Sequence, residues 1–417
     1  MTESKGKKIA FIHPDLGIGG AERLVIDLAV ALQKQNHEVL FITNHFDKNH
    51  SFPELQNGQF PVKVIGDWLP RSIYGKLQAL CAYFRMIYLS VVYVLFMRKS
   101  DKVDLYFTDL IPAANPVLKL AGEKVIYYCH HPDLLASPPG GTLKKIYRKP
   151  LDWFEGKATG MADCILVNSK YTQSVFTNTF PNIIQKTHIL YPTIASSFKD
   201  ATKKLKPKPI GDVIPKIYSK SGEPVVFLSI NRFHPAKKLE LAILAMDEIR
   251  NITTPEEWDR IFLILAGGFD PQSAINSKTF DHLMHIIKAK ELKQKIVLLK
   301  SPSDLTKVEL LLSCSCLVYT PVNEHFGIVP CEAMSVCKPV IACNSGGPME
   351  TVKDNITGYL CEPNGKSLAE SMKKILYEDV RKMGKLGYEH FEANFSITTF
   401  EHTLNTIVDD TVNKKFN

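Results

Sequence analysis

The sequence lacks paired cysteines. Its nine cysteines are scattered singly along 417 residues, and no two of them have CxxC spacing. This excludes a zinc ribbon, a thioredoxin-like motif and a disulfide framework of the secretory type. Most of the cysteines lie within apolar runs, as Cys343 does, where a reduced thiol packs like a small hydrophobe. We therefore expect the chain to fold in a reducing compartment.

We expect no secretory leader, and no uninterrupted apolar run in the sequence reaches spanning length. Residues 1–8 are polar and rich in lysine, and the apolar stretch 9–12 is too short for a leader core. The apolar region 77–97 is uninterrupted only over the twelve residues 86–97, whereas a spanning helix needs about 20. A longer segment would place Arg85 at mid-membrane, at high cost. We therefore expect no spanning helix.

Residues 77–97 are instead predicted to form a helix that is buried or lies in a membrane interface. In the interfacial case four aromatic side chains would lie at headgroup level: Tyr83, Phe84, Tyr88 and Tyr93. An ordinary core helix remains the alternative, because periodicity alone predicts it equally well. A basic loop after residues 138–141 would add attraction to an anionic membrane through Lys144, Lys145, Arg148 and Lys149.

The net charge of +8 is modest. It suits anionic small ligands or an anionic membrane surface. The sequence has neither a dense basic stripe nor zinc-finger spacing, so we expect no nucleic-acid partner. It has no Asp-x-Asp motif and no ligand pair with zinc spacing. We therefore expect no metal site and no required cofactor, although a divalent metal on a bound diphosphate stays an open alternative.

Short apolar runs alternate with helical patterns in both halves of the chain. The strands predicted in the first half are 8–13, 39–42, 103–107, 125–128 and 164–167. Those predicted in the second half are 225–230, 261–265, 296–299, 316–319 and 339–342. Continuous apolar strands separated by helices indicate parallel, doubly wound sheets in an α/β protein.

A Lys- and Pro-rich stretch over residues 197–222 separates the two halves, and its composition is typical of a linker. We predict two Rossmann-like domains, 1–196 and 223–390, and a C-terminal helix within 391–417 that would pack back on the first domain. Parallel sheets bind ligands at the carboxyl ends of their strands, so the two domains are expected to face each other across a cleft.

Three motifs follow predicted strands. The first is the glycine-rich loop 17–23, in which Gly19 and Gly20 would let the backbone approach a phosphate or a sugar. A tight strand–helix turn explains these glycines nearly as well. The second is the basic segment 231–238 with Arg232, Lys237 and Lys238, whose position after a strand favours a diphosphate over a solvated charge cluster.

The third motif, residues 323–332, is the sharpest. Glu324 would lie in the loop after strand 316–319, and Glu332 in the opening turn of the next helix, with His325, Phe326 and Gly327 between them. Two glutamates that stabilise a helix N-terminus are the alternative. Residues 344–350, with Gly346 and Gly347, form a further helix start suited to phosphate.

Two adjacent histidines, His130 and His131, follow the predicted strand 125–128. Adjacent histidines on a loop are more often surface residues than catalytic ones. Their position directly after a strand, before Pro132 and Asp133, makes them candidates nevertheless.

These motifs resemble those of a known family. Glu-x7-Glu (Glu324, Glu332), Arg-x4-Lys (Arg232, Lys237) and Ser-Gly-Gly-Pro-x-Glu (345–350) are similar to the retaining family-4 glycosyltransferases of GT-B fold, and the resemblance covers nearly the whole chain. Segments 13–24, 128–135, 160–169 and 323–330 resemble the eukaryotic alpha-1,3/1,6-mannosyltransferases of dolichol-linked N-glycan precursor assembly. Lys238 stands where a Gly or Asn is usual, which leaves open which lysine binds the diphosphate.

The resemblance implies roles for the site residues. Arg232 and Lys237 would neutralise the GDP diphosphate as it leaves. Glu324 would hold mannose hydroxyls together with the amides of 325–327, and Glu332 would hold the ribose hydroxyls. His130 would contact the mannose near its reacting carbon. Retention of configuration is implied by the family alone.

The resemblance also implies the reaction: mannose from GDP-mannose to Man-GlcNAc2-diphosphodolichol, alpha-1,3 and then alpha-1,6. The place would be the cytosolic face of the endoplasmic reticulum membrane. Other transferases of lipid-linked oligosaccharides are candidate partners in a complex. A related transferase with another nucleotide sugar or lipid acceptor is one alternative. A catalytically inactive GT-B partner subunit is the other.

Overall fold

The computed structural model describes residues 6–136, 141–185 and 187–413, with the side chain of Leu143 left out. The first five residues, the segment 137–140 and the end from Lys414 lie outside the described residues, so the expectations for them are not taken further. The chain divides into two compact units. One is Met1–Pro192 together with Phe400–Asn417, and the other is Thr193–Thr399.

The first unit contains a parallel sheet with the order β3-β2-β1-β4-β5-β6-β7. Its strands are β1 Lys8–His13, β2 Glu38–Thr43, β3 Val62–Val64, β4 Leu105–Asp109, β5 Val125–Cys129, β6 Cys164–Val167 and β7 Thr187–Ile189. Its helices are α1 Gly20–Gln33, α2 Pro53–Gln56, α3 Gln78–Phe96, α4 Arg98–Asp101, α5 Asn115–Leu120, α6 Asp133–Ala136, α7 Thr142–Thr159 and α8 Lys170–Thr179.

Both faces of this sheet are buried. Along β1, Ile9 and Phe11 belong to one hydrophobic cluster, whereas Ala10 and Ile12 belong to another. The pleat sends successive side chains to opposite faces, so a strand covered on both sides is apolar at every position. This explains the continuous apolar runs of the sequence, and the α/β prediction is confirmed.

The second unit contains a parallel sheet with the order β10-β9-β8-β11-β12-β13. Its strands are β8 Val225–Ile230, β9 Ile261–Gly267, β10 Ile296–Lys300, β11 Cys316–Tyr319, β12 Val340–Cys343 and β13 Gly358–Cys361. Its helices are α9 Ser196–Lys204, α10 Ile210–Val213, α11 Glu240–Ile252, α12 Pro255–Arg260, α13 Ala274–Ala289, α14 Asp304–Ser313, α15 Ile328–Ser335, α16 Pro348–Thr351, α17 Gly365–Ile375 and α18 Val380–Asn394.

The last helix, α19 (Ile397–Val412), begins in the second unit and belongs to the first from Phe400 onward. Its buried residues Phe400, Leu404 and Val408 join the same hydrophobic cluster as Ile9 and Phe11. The stretch 197–222, which the composition marks as a linker, contains most of α9 and all of α10, and it is part of the second unit.

In each sheet the strand order reverses beside its first strand. The reversal lies between β1 and β4 in the first unit and between β8 and β11 in the second. Loops that leave two such strands diverge to opposite sides of the sheet, which opens a crevice at the carboxyl ends. Several predicted site residues lie in these loops: Gly19 follows β1, Lys237 follows β8 and Glu324 follows β11. His130 instead follows β5, and Gly346 and Gly347 follow β12.

Helix α3 is the one helix of the described residues that is long and apolar enough to cross a membrane. One of its faces is packed into the first unit: Tyr83 and Tyr93 are buried, and Arg85 donates to the carbonyl of Leu69 at 2.9 Å. The prediction that Tyr83 and Tyr93 lie at headgroup level is therefore wrong, because both rings belong to the core. Phe84 is exposed, as expected.

The prediction of a basic loop after residues 138–141 is also wrong. Residues 142–159 form α7, and Arg148 is buried between Asp133 and Asp152, at 3.0 and 2.8 Å. Lys144 and Lys149 belong to this helix. Pro150 lies inside α7, although proline is unfavourable in the interior of a helix.

Candidate functional site

Lys237 and Glu324 form an ion pair in the second unit. Lys237 lies in the loop after β8 and Glu324 in the loop after β11, and the Lys237 Nζ is 2.5 Å from Oε2 of Glu324. The hydroxyl of Thr320, directly after β11, donates to the carbonyl of Lys237 at 2.7 Å. The two loops are thereby tied together at the reversal point of the sheet.

Two glycines hold the loop of Glu324 in place. The amide of Gly347 donates to the carbonyl of Glu324 at 2.7 Å. A Cβ at Gly346, whose φ is +68°, would lie 2.8 Å from the amide nitrogen of Glu324, and one at Gly347 would lie 2.6 Å from the carbonyl carbon of Phe326. The backbones can approach this closely only without side chains. The structure thus gives both glycines a packing function, and their phosphate contact stays a prediction.

Glu332 is buried beside a lysine that the sequence analysis did not single out. Helix α15 begins at Ile328, so Glu332 lies in its second turn rather than in the opening turn. Its Oε1 is 2.5 Å from the Nζ of Lys307. Its Oε2 is buried and has no hydrogen-bond partner among the described residues. A buried, unused acceptor of this kind suits a ligand hydroxyl.

The residues between the two glutamates have different surroundings. The ring of Phe326 is buried against Phe395, with centroids 5.7 Å apart, so only its backbone could serve a ligand. Gly327 has φ +83° and precedes α15, and a Cβ there would lie 3.1 Å from the ring of Tyr319. His325 is half-buried. Burial, with the neighbouring carboxylates of Glu324 and Glu332, raises the pKa of Tyr319 well above its usual range.

The structure separates the two adjacent lysines. Lys238 adopts the left-handed conformation, with φ +49° and ψ +37°, which explains why Gly or Asn suits this position better. Its ammonium is exposed and lies 3.9 Å from Glu240. Lys237 alone of the pair contacts Glu324 in this structure. Arg232, at the start of the same loop, is exposed.

A buried charged cluster occupies the corresponding place in the first unit. Asp109 ends β4, and its Oδ1 is 2.7 Å from the Nδ1 of His13, which ends β1. Its Oδ2 is 3.3 Å from the Nε2 of His130, directly after β5. On the other side of His13, Nε2 is 3.8 Å from Glu22.

The pKa values of His13 and Asp109 indicate that these two side chains form an ion pair. Burial lowers the pKa of His13, but the carboxylates of Asp109 and Glu22 outweigh burial and raise it to about 10. Burial raises the pKa of Asp109, and the two histidines lower it below its ordinary value. At neutral pH an imidazolium at His13 therefore lies between two carboxylates.

The glycine-rich loop lies next to this cluster. Gly19 precedes α1, and a Cβ there would collide with the side chain of Glu22, whereas one at Gly20 would meet nothing within 4 Å. Arg23 is paired with Asp27 at 2.8 Å and is not available to a ligand in this structure. A cavity of about 320 Å³ is lined by Asp15, Gly17, Glu22, His45, Asp47, His50 and Arg71.

Comparison with known proteins identifies the family. The family described as Glycosyltransferase Family 4 matches residues 18–197, and Glycosyl transferases group 1 matches residues 212–390. The human Alpha-1,3/1,6-mannosyltransferase ALG2 is 41% identical, over 97% of this chain and 98% of its own length. The chain belongs to the ALG2 family. The ALG2 proteins of Dictyostelium discoideum and Saccharomyces cerevisiae are 39% and 36% identical, over 99% and 81% of their own lengths.

Solved structures support the fold of this ALG2 family member. A glycosyltransferase from Rickettsia africae superposes with a TM-score of 0.75 at 18% identity, covering 98% of this chain and 99% of that one. Sucrose-phosphate synthase from Thermosynechococcus elongatus gives 0.72 at 20% identity, covering 97% and 98%. The predicted GT-B fold, built of two Rossmann-like domains, is confirmed.

Glu155 is a further residue that sequence reasoning missed in the ALG2 family member. Its buried carboxylate accepts from the amides of Asp133 and Leu134, at 2.6 and 2.9 Å. It thereby holds the segment that follows His130 and His131. Burial and the nearby Asp133 raise the pKa of Glu155 to about 7, although both amide contacts lower it. Glu155 lies within α7 and belongs to none of the motifs that the sequence analysis identified.

Proposed function

We propose that this ALG2 family member transfers mannose from GDP-mannose to Man-GlcNAc2-diphosphodolichol, first in alpha-1,3 and then in alpha-1,6 linkage. Two observations together carry the proposal: the pairing of Lys237 with Glu324, and the buried Oε2 of Glu332, which has no hydrogen-bond partner among the described residues. A cation and two carboxylate acceptors match a ligand that combines a diphosphate with hydroxyl groups.

The diphosphate is the group that gains charge during transfer. When the bond between mannose C1 and the diphosphate breaks, GDP leaves with an additional negative charge. The acceptor oxygen forms the new bond to C1, and its proton is released to the solvent. Lys237 and Arg232 stabilise that charge. Lys237 exchanges its contact with Glu324 for the phosphate, and Lys238, exposed and turned toward Glu240, contributes little.

The sugar and the ribose are held by acceptor oxygens. Glu324 accepts hydrogen bonds from mannose hydroxyls once Lys237 has moved to the phosphate, with support from the backbone amides of 325–327. Glu332 Oε2 accepts from a ribose hydroxyl, which satisfies an acceptor that is otherwise buried alone. In the first unit, His130 is the proposed contact of the mannose near its reacting carbon.

The place of the reaction is the cytosolic surface of the endoplasmic reticulum membrane, where the enzyme acts on a lipid acceptor and adjoins other transferases of lipid-linked oligosaccharides. Exposed apolar side chains of α3 support a membrane contact: Phe84 and Leu95, which share one face, are 57 and 67% exposed, and Phe96 at the end of the helix is 78% exposed. The amide of Leu80 bonds the hydroxyl of Tyr147 at 3.0 Å, so the lysine-bearing α7 lies beside it. Apolar and basic groups on one surface favour an anionic membrane.

Calorimetric titration tests the donor class. The purified protein should bind GDP-mannose, and UDP-glucose at the same concentration should release no heat of binding. Equal binding of both nucleotides, or tighter binding of UDP-glucose, would contradict the proposal. A folded protein that binds neither would point to an inactive subunit.

A further inference from the structure

Asp109 is the centre of the charged cluster in the first unit. Its side chain is 4% exposed, and each of its two oxygens meets a nitrogen of a different imidazole, His13 at 2.7 Å and His130 at 3.3 Å. The three residues come from the ends of β1, β4 and β5, which are neighbours in the sheet. The cluster therefore stands at the reversal point, where doubly wound sheets bind ligands.

The carboxylate of Asp109 determines which ring nitrogen of His130 carries the hydrogen that lies between them. An ionised carboxylate can only accept hydrogen bonds, so the Nε2 of His130 must carry the hydrogen that lies between them. The ring of Tyr128 packs against His130, with centroids 4.8 Å apart. One hydrogen bond and one ring contact thus fix both the tautomer and the orientation of an imidazole that is still 18% exposed.

The cluster continues to the surface on its other side. His13 is fully buried, and its Nε2 has no hydrogen bond among the described residues but lies 3.8 Å from Glu22. Glu22 lines the cavity beside the glycine-rich loop. A buried charge is tolerated only when it is paired. The positive charge of His13 therefore compensates the negative charge of the buried Asp109 and that of Glu22, which lies nearer the surface.

We propose that Asp109 is a positioning residue of the transfer reaction, which fixes the tautomer and orientation of His130 and, through His13, holds Glu22 at the cavity. The proposal rests on the proposed function, because His130 is taken to contact the transferred sugar. Asp109 belongs to none of the sequence motifs. In the proposal it acts through His130 and His13 and contacts neither the donor nor the acceptor.

The test combines imidazole NMR with kinetics of the full-length protein. The chain has 13 histidines, so the signals of interest are assigned with His13→Asn and His130→Gln in ¹⁵N-histidine-labelled protein. In the wild type, His130 should show the Nε2–H tautomer and His13 both nitrogens protonated at pH 7.5. A wild-type His130 with hydrogen on Nδ1 alone would overturn the proposal without any variant.

The variant is Asp109→Asn, which keeps the size of the side chain and removes its charge. We expect His13 to lose its charged signature, His130 to show a mixture of tautomers, and kcat to fall at least about tenfold. KM for GDP-mannose should change less than about threefold. An unchanged kcat, or unchanged imidazole signals in the folded variant, would reduce Asp109 to a structural residue.

Asp163→Asn is the matched control. Asp163 is also a paired carboxylate of the first unit, bonded to Lys119 at 2.7 Å and to the amide of Val125 at 2.8 Å. After correction for folded fraction, its kcat and imidazole signals should equal those of the wild type. If the wild type transfers no mannose at all, the proposed function fails, whereas the NMR result still decides whether Asp109 sets the state of His130.

Discussion

Lys237 and Glu324 are 87 positions apart in the sequence, and their side chains meet at 2.5 Å. They meet because β8 and β11 are neighbours in the sheet although β9 and β10 intervene along the chain. Each residue satisfies the charge of the other in the ligand-free protein. In the proposed mechanism a bound donor replaces this contact, with the diphosphate at Lys237 and hydroxyl groups at Glu324.

Glu324→Ala separates binding from transfer. We expect mannose transfer to fall at least about a hundredfold, since the sugar loses its acceptor at the reacting end. GDP affinity should stay equal or rise, because Lys237 no longer has a competing carboxylate. The measurements are a radiolabelled-mannose assay and a GDP titration, with Glu370→Ala, an exposed helix glutamate of the same unit, as the control. Wild-type transfer by the folded variant would remove Glu324 from the mechanism.

The two adjacent lysines should differ in GDP binding. Lys237→Ala removes a charge-assisted contact to phosphate, worth roughly 1.5–3 kcal/mol, or about ten- to a hundredfold in affinity. Arg232→Ala should weaken binding in the same direction. Lys238→Ala is the matched control and should change affinity less than about threefold, since that ammonium turns toward Glu240. If all three variants changed GDP affinity equally little in a calorimetric titration, segment 231–238 would be a solvated charge cluster and not a diphosphate site.

His13 should make the stability of the first unit depend on pH. Its pKa is about 10 in the folded protein and about 6.5 when unfolded. The bound proton therefore stabilises the folded state fully below pH about 6.5, and this contribution is lost as the pH rises toward 10. His13→Asn should consequently cost on the order of 3–4 kcal/mol more at pH 6 than at pH 9.5.

Urea unfolding measures that difference. Trp68 and Trp153 are the tryptophans of the first unit, so a Trp258→Phe background confines the fluorescence signal to it. Each variant is compared with the same background at the same pH, which removes the titration of other groups. An equal cost of His13→Asn at both pH values would mean that His13 is not charged in the folded protein.

The exposed apolar side chains of α3 should bind membranes. Replacing Phe84, Leu95 and Phe96 by Ser removes exposed apolar area without changing a buried side chain, so flotation with anionic liposomes should weaken even at high salt. Leu120→Ser is the control, because Leu120 is 85% exposed on α5. Unchanged flotation of the folded triple variant would place the membrane contact elsewhere on the chain.

The sequence predicted the interior strands and the edge strand β10 well, and it missed the other edge strands. Strands β1 and β8 are buried on both faces, so their apolar runs are unambiguous. The edge strand β3 is three residues long, and the segment 358–361 of β13 begins with glycine, so neither stood out. Helix α3 could not be resolved by pattern, because one of its faces is core and the other is exposed.

The candidate site was predictable where a motif lies in one loop. Glu324 and Lys237 each follow a strand, and that position together with their motifs made them candidates. Asp109 and Lys307 pair with residues far along the chain, and only the fold brings those residues together. No local pattern carries that information.

The most direct test of the account is the set of glycolipids made when purified protein meets GDP-mannose and a synthetic Man-GlcNAc2-diphospholipid. We predict that two mannoses are added, the first sensitive to an alpha-1,3-specific mannosidase and the second to an alpha-1,6-specific one, with no product from UDP-glucose. Transfer of a different sugar, a single linkage only, or no transfer by folded protein in the presence of membranes would contradict the account.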